Sequence, residues 1–271
     1  MKIKFLGTGA SEGIPDLFCR CAVCEKARKE GKKERRTRAG VLIDEDFLID
    51  FSPDFFSNVS RFKIDASKIK NILITHSHSD HFYPEDLVNS MLSSKDRRTV
   101  DIYSNETVIE KMREAMAGYE LNENFRLHTA ECFKTFEAGG RRVTAFNAVH
   151  MRNERALLYL IEDGEKTYLH LYDTGEIKDE ITEFLKRENK KIDAVAFDCT
   201  YGLLTTDYFG HLNLTQIAAA CEKFRSEGAF TKDTRIFASH ICHWGGSHEE
   251  LCRAAETKHI EIAYDGMEIN L

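Results

Sequence analysis

Short runs of apolar residues, several of them alternating with polar residues, recur along the chain and are typical of β-strands. The dipeptide Asp163-Gly164 separates two such runs and predicts a tight hairpin. The predicted strands cover Ile3–Leu6, Gly40–Ile43, Phe47–Asp50, Ile72–Thr75, Arg142–Ala148, Ala156–Ile161, Thr167–Tyr172, Ala194–Phe197, Ile236–Ala238 and Ile260–Tyr264.

Between these strands, apolar residues recur at the spacing of amphipathic helices, and suitable capping residues precede them. Pro84 suits the first turn of one helix, and Ser247 with Glu250 forms the signature of a capping box. Further predicted helices begin at or near Asn105, Lys178 and Asn213. Two β-rich halves with helices laid outside predict an α/β protein, a four-layer αββα sandwich. Because no Pro-rich or low-complexity linker interrupts the pattern, residues 1–271 are predicted to form a single domain.

Composition narrows the class of protein. With 271 residues, 42% of them hydrophobic, the chain can bury a sizeable core. There is no apolar run of about 18 residues, so no membrane contact is expected. The charged first strand lacks a signal-peptide pattern, which predicts a cytoplasmic protein whose eight cysteines are thiols or metal ligands rather than disulfides. The net charge of −7 argues against stable binding of nucleic acid.

One segment opposes this acidic balance. Between Lys26 and Arg38, eight residues are lysine or arginine. Such a run either attracts a phosphorylated substrate or is a solvated helix and loop that happens to be basic, and the second interpretation is favoured.

The densest chemistry lies in His76-Ser77-His78-Ser79-Asp80-His81, directly after a predicted strand. In an extended segment, residues i and i+2 point to the same side, so His76 and His78 can bind one metal ion. Asp80 and His81 follow as the chain turns and are aimed at a second position. Imidazole with carboxylate is the ligand set of Zn²⁺, Mn²⁺ or Fe²⁺ rather than of Ca²⁺ or Mg²⁺. The sequence therefore predicts a site for divalent metal.

Two metals need further ligands, and single histidines and aspartates at other strand ends are candidates. His150, Asp173 and His240 each lie where a predicted strand runs into a loop. Any one of them alone would more often be structural. Three of them, in a chain that already holds the histidine-rich motif, favour a dinuclear site.

Together these features resemble the metallo-β-lactamase fold family, which is named for one activity but mostly contains phosphodiesterases, thioesterases and nucleases. The resemblance spans essentially the whole chain. It rests on the turn Leu6-Gly7-Thr8-Gly9, the motif Leu48-Ile49-Asp50, the H-x-H-x-D-H motif, and the ordered residues His150, Asp173 and His240.

The resemblance implies two metal positions that share one carboxylate. The ligands of the first metal are His76, His78 and His150. The ligands of the second metal are Asp80, His81 and His240. Asp173 bridges the two metals, and Asp50 orients a ligand imidazole. An aspartate at position 173 where a cysteine would be expected in zinc β-lactamases, together with Asp80, points to the phosphodiesterase branch, so Asp80 is counted among the catalytic residues.

A second, separate cluster lies in a loop at about residues 16–27. Cys19, Cys21 and Cys24 place three thiols within six residues. A tetrahedral structural zinc needs a fourth ligand, for which His243 is a candidate and Cys242 its competitor. The other cysteines are expected to be buried thiols, namely Cys132, Cys199, Cys221 and Cys252.

This combination is similar to the PhnP-type phosphodiesterases of the carbon–phosphorus lyase pathway. The shared features are the Cys-rich loop, the element His240-Ile241-Cys242-His243, and the C-terminal Asp265-Gly266-Met267-Glu268-Ile269. The resemblance implies that His243 completes the zinc site, that His211 protonates the leaving oxygen and that Asp198 orients His211. In two places the chain departs from that pattern. The segment Ser93–Ala130 is longer, and His150 is followed by Arg152 and Arg155, which are either phosphate contacts or surface residues.

The expected function is that of a dinuclear metal-dependent phosphodiesterase. It hydrolyses a small cyclic phosphodiester, such as a 1,2-cyclic or 2′,3′-cyclic phosphate, through a metal-bridging hydroxide. The expected cofactors are two divalent ions (Mn²⁺, Zn²⁺ or Fe²⁺) and one structural Zn²⁺. Two alternatives stay open, a nuclease of the tRNA 3′-processing type and a non-hydrolytic binding protein of the PqqB type. The acidic charge counts against the first and the complete ligand set against the second, and a homodimer is compatible with the sequence.

Overall fold

The computed structural model describes residues 1–206 and 209–271. The strands are β1 (Lys2–Gly7), β2 (Gly40–Ile43), β3 (Phe47–Ile49), β4 (Asn71–Leu73), β5 (Val100–Ser104), β6 (Phe125–Thr129), β7 (Thr135–Ala138), β8 (Arg141–Asn147), β9 (Leu157–Glu162), β10 (Thr167–Leu171), β11 (Ile192–Asp198), β12 (Phe230–Ser239), β13 (Glu261–Ile262) and β14 (Glu268–Asn270). The helices are α1 (Ala22–Glu30), α2 (Phe55–Phe62), α3 (Pro84–Ser93), α4 (Glu106–Met116), α5 (Asp179–Arg187), α6 (Leu214–Ser226) and α7 (His248–Glu256).

Within the described residues, these strands form two seven-stranded sheets. The first sheet has the order β14-β1-β2-β3-β4-β5-β6, and the second has the order β13-β12-β11-β10-β9-β8-β7. In the first sheet β14 to β3 pair antiparallel, whereas β3 to β6 pair parallel. In the second sheet β7 to β10 pair antiparallel and β10 to β13 pair parallel. Each sheet therefore has an antiparallel half and a parallel half.

The sheets stack face to face, and helices cover their outer faces. Strand β9 illustrates the layering, because successive side chains of a strand point to opposite faces. Leu157, Tyr159 and Ile161 belong to the core between the sheets. Leu158 and Leu160 belong to the core under the helices of the second sheet. A third apolar cluster lies under α3 and α4 on the first sheet, which completes the four layers and confirms the predicted αββα sandwich.

Local signals in the sequence agree with the structure where they are strong. Asn105 and Asn213 cap α4 and α6, and Ser247 forms the predicted capping box with Glu250 at α7. The hairpin at Asp163 joins β9 to β10 as predicted. The pattern of apolar and polar residues did not predict α2 or the short strands β5, β6, β7 and β14. In the described residues, no helix has the length and apolar character needed to cross a membrane.

Strand direction explains why the site forms at one edge of the sandwich. Strands β3 and β4 are parallel neighbours, so their carboxyl ends adjoin. The carboxyl ends of β10, β11 and β12 adjoin for the same reason. Strand β8 runs in the same direction as β10, because both are antiparallel to β9. The polar residues that follow these strands are thereby brought to one place.

Candidate metal centre and active site

Three strands end in a sharp turn at a residue of the site. Asp50, Asp173 and His240 follow β3, β10 and β12 closely and have φ values of 62°, 52° and 54°. This left-handed conformation is uncommon for residues other than glycine. It stops the extended chain abruptly, so that the next residues leave the sheet while these three side chains stay at its edge.

The first ligand cluster contains the side chains of His76, His78, His150 and Asp173. His78 Nδ1 lies 2.9 Å from His76 Nε2 and 3.2 Å from His150 Nε2. Two nitrogens bound tetrahedrally to one zinc lie about 3.3 Å apart, given a zinc–nitrogen bond of about 2.0–2.1 Å. The three imidazoles therefore converge at a spacing that fits one metal ion.

The second cluster contains Asp80, His81, Asp173 and His240. The Nε2 atoms of His81 and His240 lie 3.1 Å apart. Asp80 Oδ2 lies 3.3 Å from His81 Nε2 and 3.6 Å from His240 Nε2. This set again has the spacing and the mixed imidazole–carboxylate chemistry that suit Zn²⁺, Mn²⁺ or Fe²⁺.

Asp173 lies between the two clusters. Its Oδ2 atom is 3.3 Å from His76 Nε2 in the first cluster and 2.7 Å from His81 Nε2 in the second. Its Oδ1 atom is buried and lies 3.1 Å from His240 Nδ1 and 3.5 Å from His211 Nδ1, but among the described residues neither contact has the geometry of a hydrogen bond. A buried carboxylate oxygen without a partner is costly, and a bound cation removes that cost.

Most of the ligand imidazoles are held from behind through the ring nitrogen that faces away from the cluster. His81 Nδ1 lies 2.7 Å from Asp50 Oδ2, and His76 Nδ1 lies 3.0 Å from the hydroxyl of Thr75, which itself donates to Asp50. His240 Nδ1 lies 2.9 Å from the Thr200 hydroxyl. His150 Nδ1 donates to the carbonyl oxygen of Gly210 at 3.1 Å. Such contacts fix ring orientation and tautomer in metal sites.

The electrostatics of the cluster favour bound cations. Burial and the neighbouring His81 lower the pKa of His76 well below its usual value. Burial opposes ionisation of Asp80 and Asp173, but His81 and His240 outweigh it and hold both carboxyl pKa values well below the usual range. Burial alone would lower the pKa of His81, but the surrounding carboxylates raise it well above its usual value. The site therefore concentrates negative charge, which protons or metal ions must balance.

A histidine–aspartate pair adjoins both clusters. His211 Nδ1 lies 2.7 Å from Asp198 Oδ2 and 3.5 Å from Asp173 Oδ1. Asp198 ends β11 and is fully buried, and its Oδ1 atom also accepts from the backbone N–H of Thr200. The two residues singled out by the resemblance are thus in direct contact.

The Cys-rich loop forms the predicted third cluster. Cys19 and Cys21 Sγ each lie 3.4 Å from His243 Nδ1, and Cys24 completes the group. A sulfur and a nitrogen bound tetrahedrally to zinc lie about 3.6 Å apart, from the usual bond lengths. The imidazole of His243 therefore takes the fourth position, for which Cys242 was the competitor. Hydrogen bonds from His243 and the backbone N–H of Cys24 outweigh burial and lower the pKa of Cys21 to about 6, which favours the ligating thiolate.

The two ligand clusters open into a cavity of about 400 Å³. None of the described side chains that line it is a lysine or an arginine. The basic segment is engaged elsewhere: Lys26 pairs with Glu34 and Glu249, and Arg38 pairs with Asp54. Arg36 is buried and donates to the Thr8 hydroxyl and the Ala263 carbonyl. These three cations thus have structural contacts, and no cation of the segment 26–38 lines the cavity. The exposed residues Arg152 and Arg155 also lie outside the cavity lining.

Some supporting residues were missed by sequence reasoning. Glu154, in the loop after His150, accepts from the backbone N–H and the hydroxyl of Ser77 at 2.9 and 2.5 Å. Lys111 on α4 donates to the carbonyl of the same serine. These contacts span 77 and 34 residues of sequence, so no local spacing could reveal them. Two expectations were wrong: Cys252 is exposed on α7 and Cys132 is only half-buried, whereas Cys199 and Cys221 are buried as predicted.

The comparison with known families agrees with this architecture. The model of the family described as a beta-lactamase superfamily domain matches residues 45–241. The chain belongs to this superfamily. The matched range contains the two ligand clusters and the His211–Asp198 pair, and the Cys-rich loop precedes it.

Solved structures extend the likeness over the whole chain. A diphosphatase of the PhnP family is 26% identical, with a TM-score of 0.78, and the match covers 100% of this chain and 97% of that chain. Zinc-bound PqqB from Methylobacterium extorquens is 19% identical, with a TM-score of 0.77 and full coverage of both chains. The second likeness shows the fold alone.

Curated relatives match more narrowly. An octanoyltransferase of Porphyromonas gingivalis is 32% identical over 120 residues, which are 43% of this chain and 23% of that protein. The chain thus matches between about a quarter and two fifths of the length of its curated relatives. The octanoyltransferase activity belongs to that longer protein.

Proposed function

We propose that this hydrolase is a dinuclear metal-dependent phosphodiesterase that cleaves a small cyclic phosphodiester. The observation that supports this most directly is the contact between the His211–Asp198 pair and two ligand clusters that share Asp173, all at one cavity. Two cations and one proton donor around a common space are what hydrolysis of a phosphodiester requires.

The two clusters are proposed to hold the catalytic ions. His76, His78 and His150 would hold one ion, Asp80, His81 and His240 would hold the other, and Asp173 could serve both. When bound, such ions supply a water molecule that ionises near neutral pH and neutralise charge on the phosphoryl oxygens. The Cys19, Cys21, Cys24 and His243 cluster is proposed to hold a structural Zn²⁺.

His211 is proposed to protonate the oxygen of the departing alcohol. Its Nδ1 atom is engaged by Asp198, which leaves Nε2 as the nitrogen that can face a substrate. Burial alone would lower the pKa of His211, but Asp198 and Asp173 outweigh it and raise the pKa to about 9. Before cations bind, the ring therefore carries a proton at neutral pH, the state that a general acid needs.

Diphosphate hydrolysis is a second candidate, because a diphosphatase of the PhnP family is 26% identical over the whole chain. Cleavage of a diphosphate expels a phosphate, which is a much weaker base than an alkoxide and depends less on a proton donor. The direct contact between His211 and Asp198 therefore favours hydrolysis of a phosphodiester over hydrolysis of a diphosphate.

Two rival functions fit the cavity less well. A nuclease must neutralise several phosphates of an RNA backbone, usually with lysine and arginine. Glu12 and Asp16 line this cavity instead, and none of the described lining residues is a lysine or an arginine. A non-hydrolytic role of the PqqB type needs no proton donor, so the His211–Asp198 pair would have no purpose there.

The deciding experiment is an assay of the purified protein, loaded with Mn²⁺ or Zn²⁺, on 2′,3′-cyclic AMP and on ADP-ribose. We expect turnover of the cyclic diester and its loss in His78→Ala. His211→Ala should keep its metal content and lower kcat for the diester by about 10²–10⁴-fold. Faster turnover of ADP-ribose would favour the diphosphatase, and faster cleavage of a precursor tRNA would favour the nuclease. A structural zinc alone, with no turnover, would favour the binding protein.

A further inference from the structure

Trp244 is the only tryptophan of the chain, and its side chain lies at the rim of the metal cavity. About two thirds of it (66%) is exposed. A large apolar ring left in solvent at the wall of a polar cavity is available to cover a ligand, since burying such a ring is favourable.

The backbone that carries this ring is held firmly. The preceding residue, His243, belongs to the Cys-rich cluster, and its N–H donates to Glu12 at 3.3 Å. On the other side, Leu203 N–H donates to the carbonyl of Gly245 at 2.8 Å. A Cβ atom on Gly202 would lie only 2.2 Å from that same carbonyl oxygen, so the two loops are in close contact. The indole is thus exposed on a rigid support.

Tyr201 lies in the same wall but is largely buried, with 8% of it exposed. It lines the cavity, and its ring meets the ring of His211 edge-on, with centroids 5.6 Å apart and an angle of 89°. The aromatic wall therefore adjoins the residue proposed to protonate the leaving oxygen. Within this wall the exposed ring is that of Trp244, which a group departing on the His211 side of the cavity can contact.

The charges beside this wall restrict that group further. Glu12 and Asp16 line the cavity next to the Cys-rich loop, and the described lining has no lysine or arginine. A second phosphate on the leaving group would meet these carboxylates without a compensating cation. The wall therefore suits a planar, uncharged group.

We propose that Trp244 forms a stacking platform for the nucleobase of the substrate. The substrate class is then a nucleoside phosphodiester, such as a cyclic nucleotide, that carries no phosphate besides the scissile one. This inference rests on the proposed function for the reaction, but the platform itself binds a base whether or not turnover follows. Aromatic rings stack on any base, because every base has a π-face.

The first test uses Trp244 as its own reporter. The metal-loaded protein is titrated with adenosine 2′-monophosphate, and its tryptophan fluorescence is followed. Glycerol 2-phosphate, which has no ring, is the matched ligand. We expect saturable quenching by the nucleotide only. Equal responses to the two ligands, or no response to either, would overturn the platform even if the protein proves to be a phosphodiesterase.

The second test is kinetic. Trp244→Leu should lower the preference for 2′,3′-cyclic AMP over glycerol 1,2-cyclic phosphate about tenfold, mainly through KM, because it removes one base–aromatic contact. Trp244→Phe should restore most of that preference. Phe18→Leu, which alters an exposed ring outside the cavity lining, is the control and should leave the preference as it is.

An equal loss on both substrates in Trp244→Leu, with unchanged zinc content, would show a structural role and contradict the platform. If neither substrate is turned over, the proposed reaction fails, and the fluorescence titration alone decides whether a base is bound.

Discussion

Asp50, Asp173 and His240 hold a backbone conformation that costs about 1–3 kcal/mol for each such residue. Their surroundings compensate for this cost. Asp50 accepts from the N–H and the hydroxyl of Thr75 and contacts the ring of His81. A residue that is both strained and fully engaged is placed for function rather than for stability.

The contact between Asp50 and His81 gives the first prediction. Asp50→Asn should lower affinity for the second metal by about 10–100-fold, because the amide no longer fixes the tautomer and orientation of His81. Competition with a chelator under Mn²⁺ or Zn²⁺ measures the loss. Asp46→Asn, just before the same strand and half-exposed beside Arg141, is the control. Equal affinities in the two variants would remove Asp50 from the site.

His170 predicts how stability depends on pH. The ring is fully buried between the sheets against Tyr168 and Tyr172, and burial lowers its pKa from 6.5 to about 3. The unfolded chain gains a proton on this ring below about pH 6.5, whereas the folded chain gains it only near pH 3. Stability should therefore fall as pH drops through this window, by at most roughly 2 kcal/mol between pH 6.5 and 5.

His170→Leu should remove that part of the acid sensitivity. Urea unfolding at pH 8 and at pH 5, at equal metal loading, measures the free energy of unfolding in each variant. His259→Asn removes an exposed histidine instead and should behave like the unaltered chain. A steep pH dependence that persists in His170→Leu would contradict the argument.

At the residue scale, sequence reasoning found the groups whose signal is local. The spacing of His76 and His78 within one strand end was enough to predict a shared metal. Glu154 and Thr200 were beyond its reach, because their contacts depend on which loops meet in space. Cys252 was wrongly expected to be buried, since a cysteine on an amphipathic helix carries no mark of which face it occupies.

At the scale of secondary-structure elements, the loop after β8 holds the loop after β4 in place through hydrogen bonds. Glu154 accepts from Ser77, which lies between His76 and His78 of the first cluster, and from the side chain of Asn105, which caps α4. Glu154→Ala should therefore loosen the segment His76–His78 and weaken metal binding about tenfold. Calorimetric titration with Mn²⁺ tests this. Arg155→Ala, an exposed neighbour, is the control, and matching affinities would contradict the coupling.

The elements missed from the sequence share a physical reason. Strands β6, β7 and β14 are short and mix polar with apolar residues, because they lie at edges of the two sheets. The long apolar runs of β9 and β11 were predicted correctly, since burial on both faces removes polar positions. Pairing between distant strands, rather than local preference, decides whether the weaker segments extend.

At the scale of the whole molecule, the Cys-rich cluster joins residues more than 200 positions apart: Cys19 contacts His243 across 224 residues. Cys21→Ser should lose one zinc per chain and about 3 kcal/mol of folding free energy, since metal binding at such a site is part of folding. For a chain of this size the melting temperature should fall by roughly 6–12 °C. Cys252→Ser, an exposed thiol outside the cluster, should change neither quantity. Unchanged zinc content in Cys21→Ser would exclude the structural site.

The proposed two-metal centre draws its ligands from both sheets. His76, His78, Asp80 and His81 follow a strand of the first sheet, whereas His150, Asp173 and His240 follow strands of the second. Ions bound there would link the two sheets at one edge of the sandwich. We expect a chelated protein to stay folded through its apolar core and to be cut by proteases first at that edge, which limited proteolysis with and without chelator can measure. Metal supply would then govern how long each molecule survives as well as how fast it works.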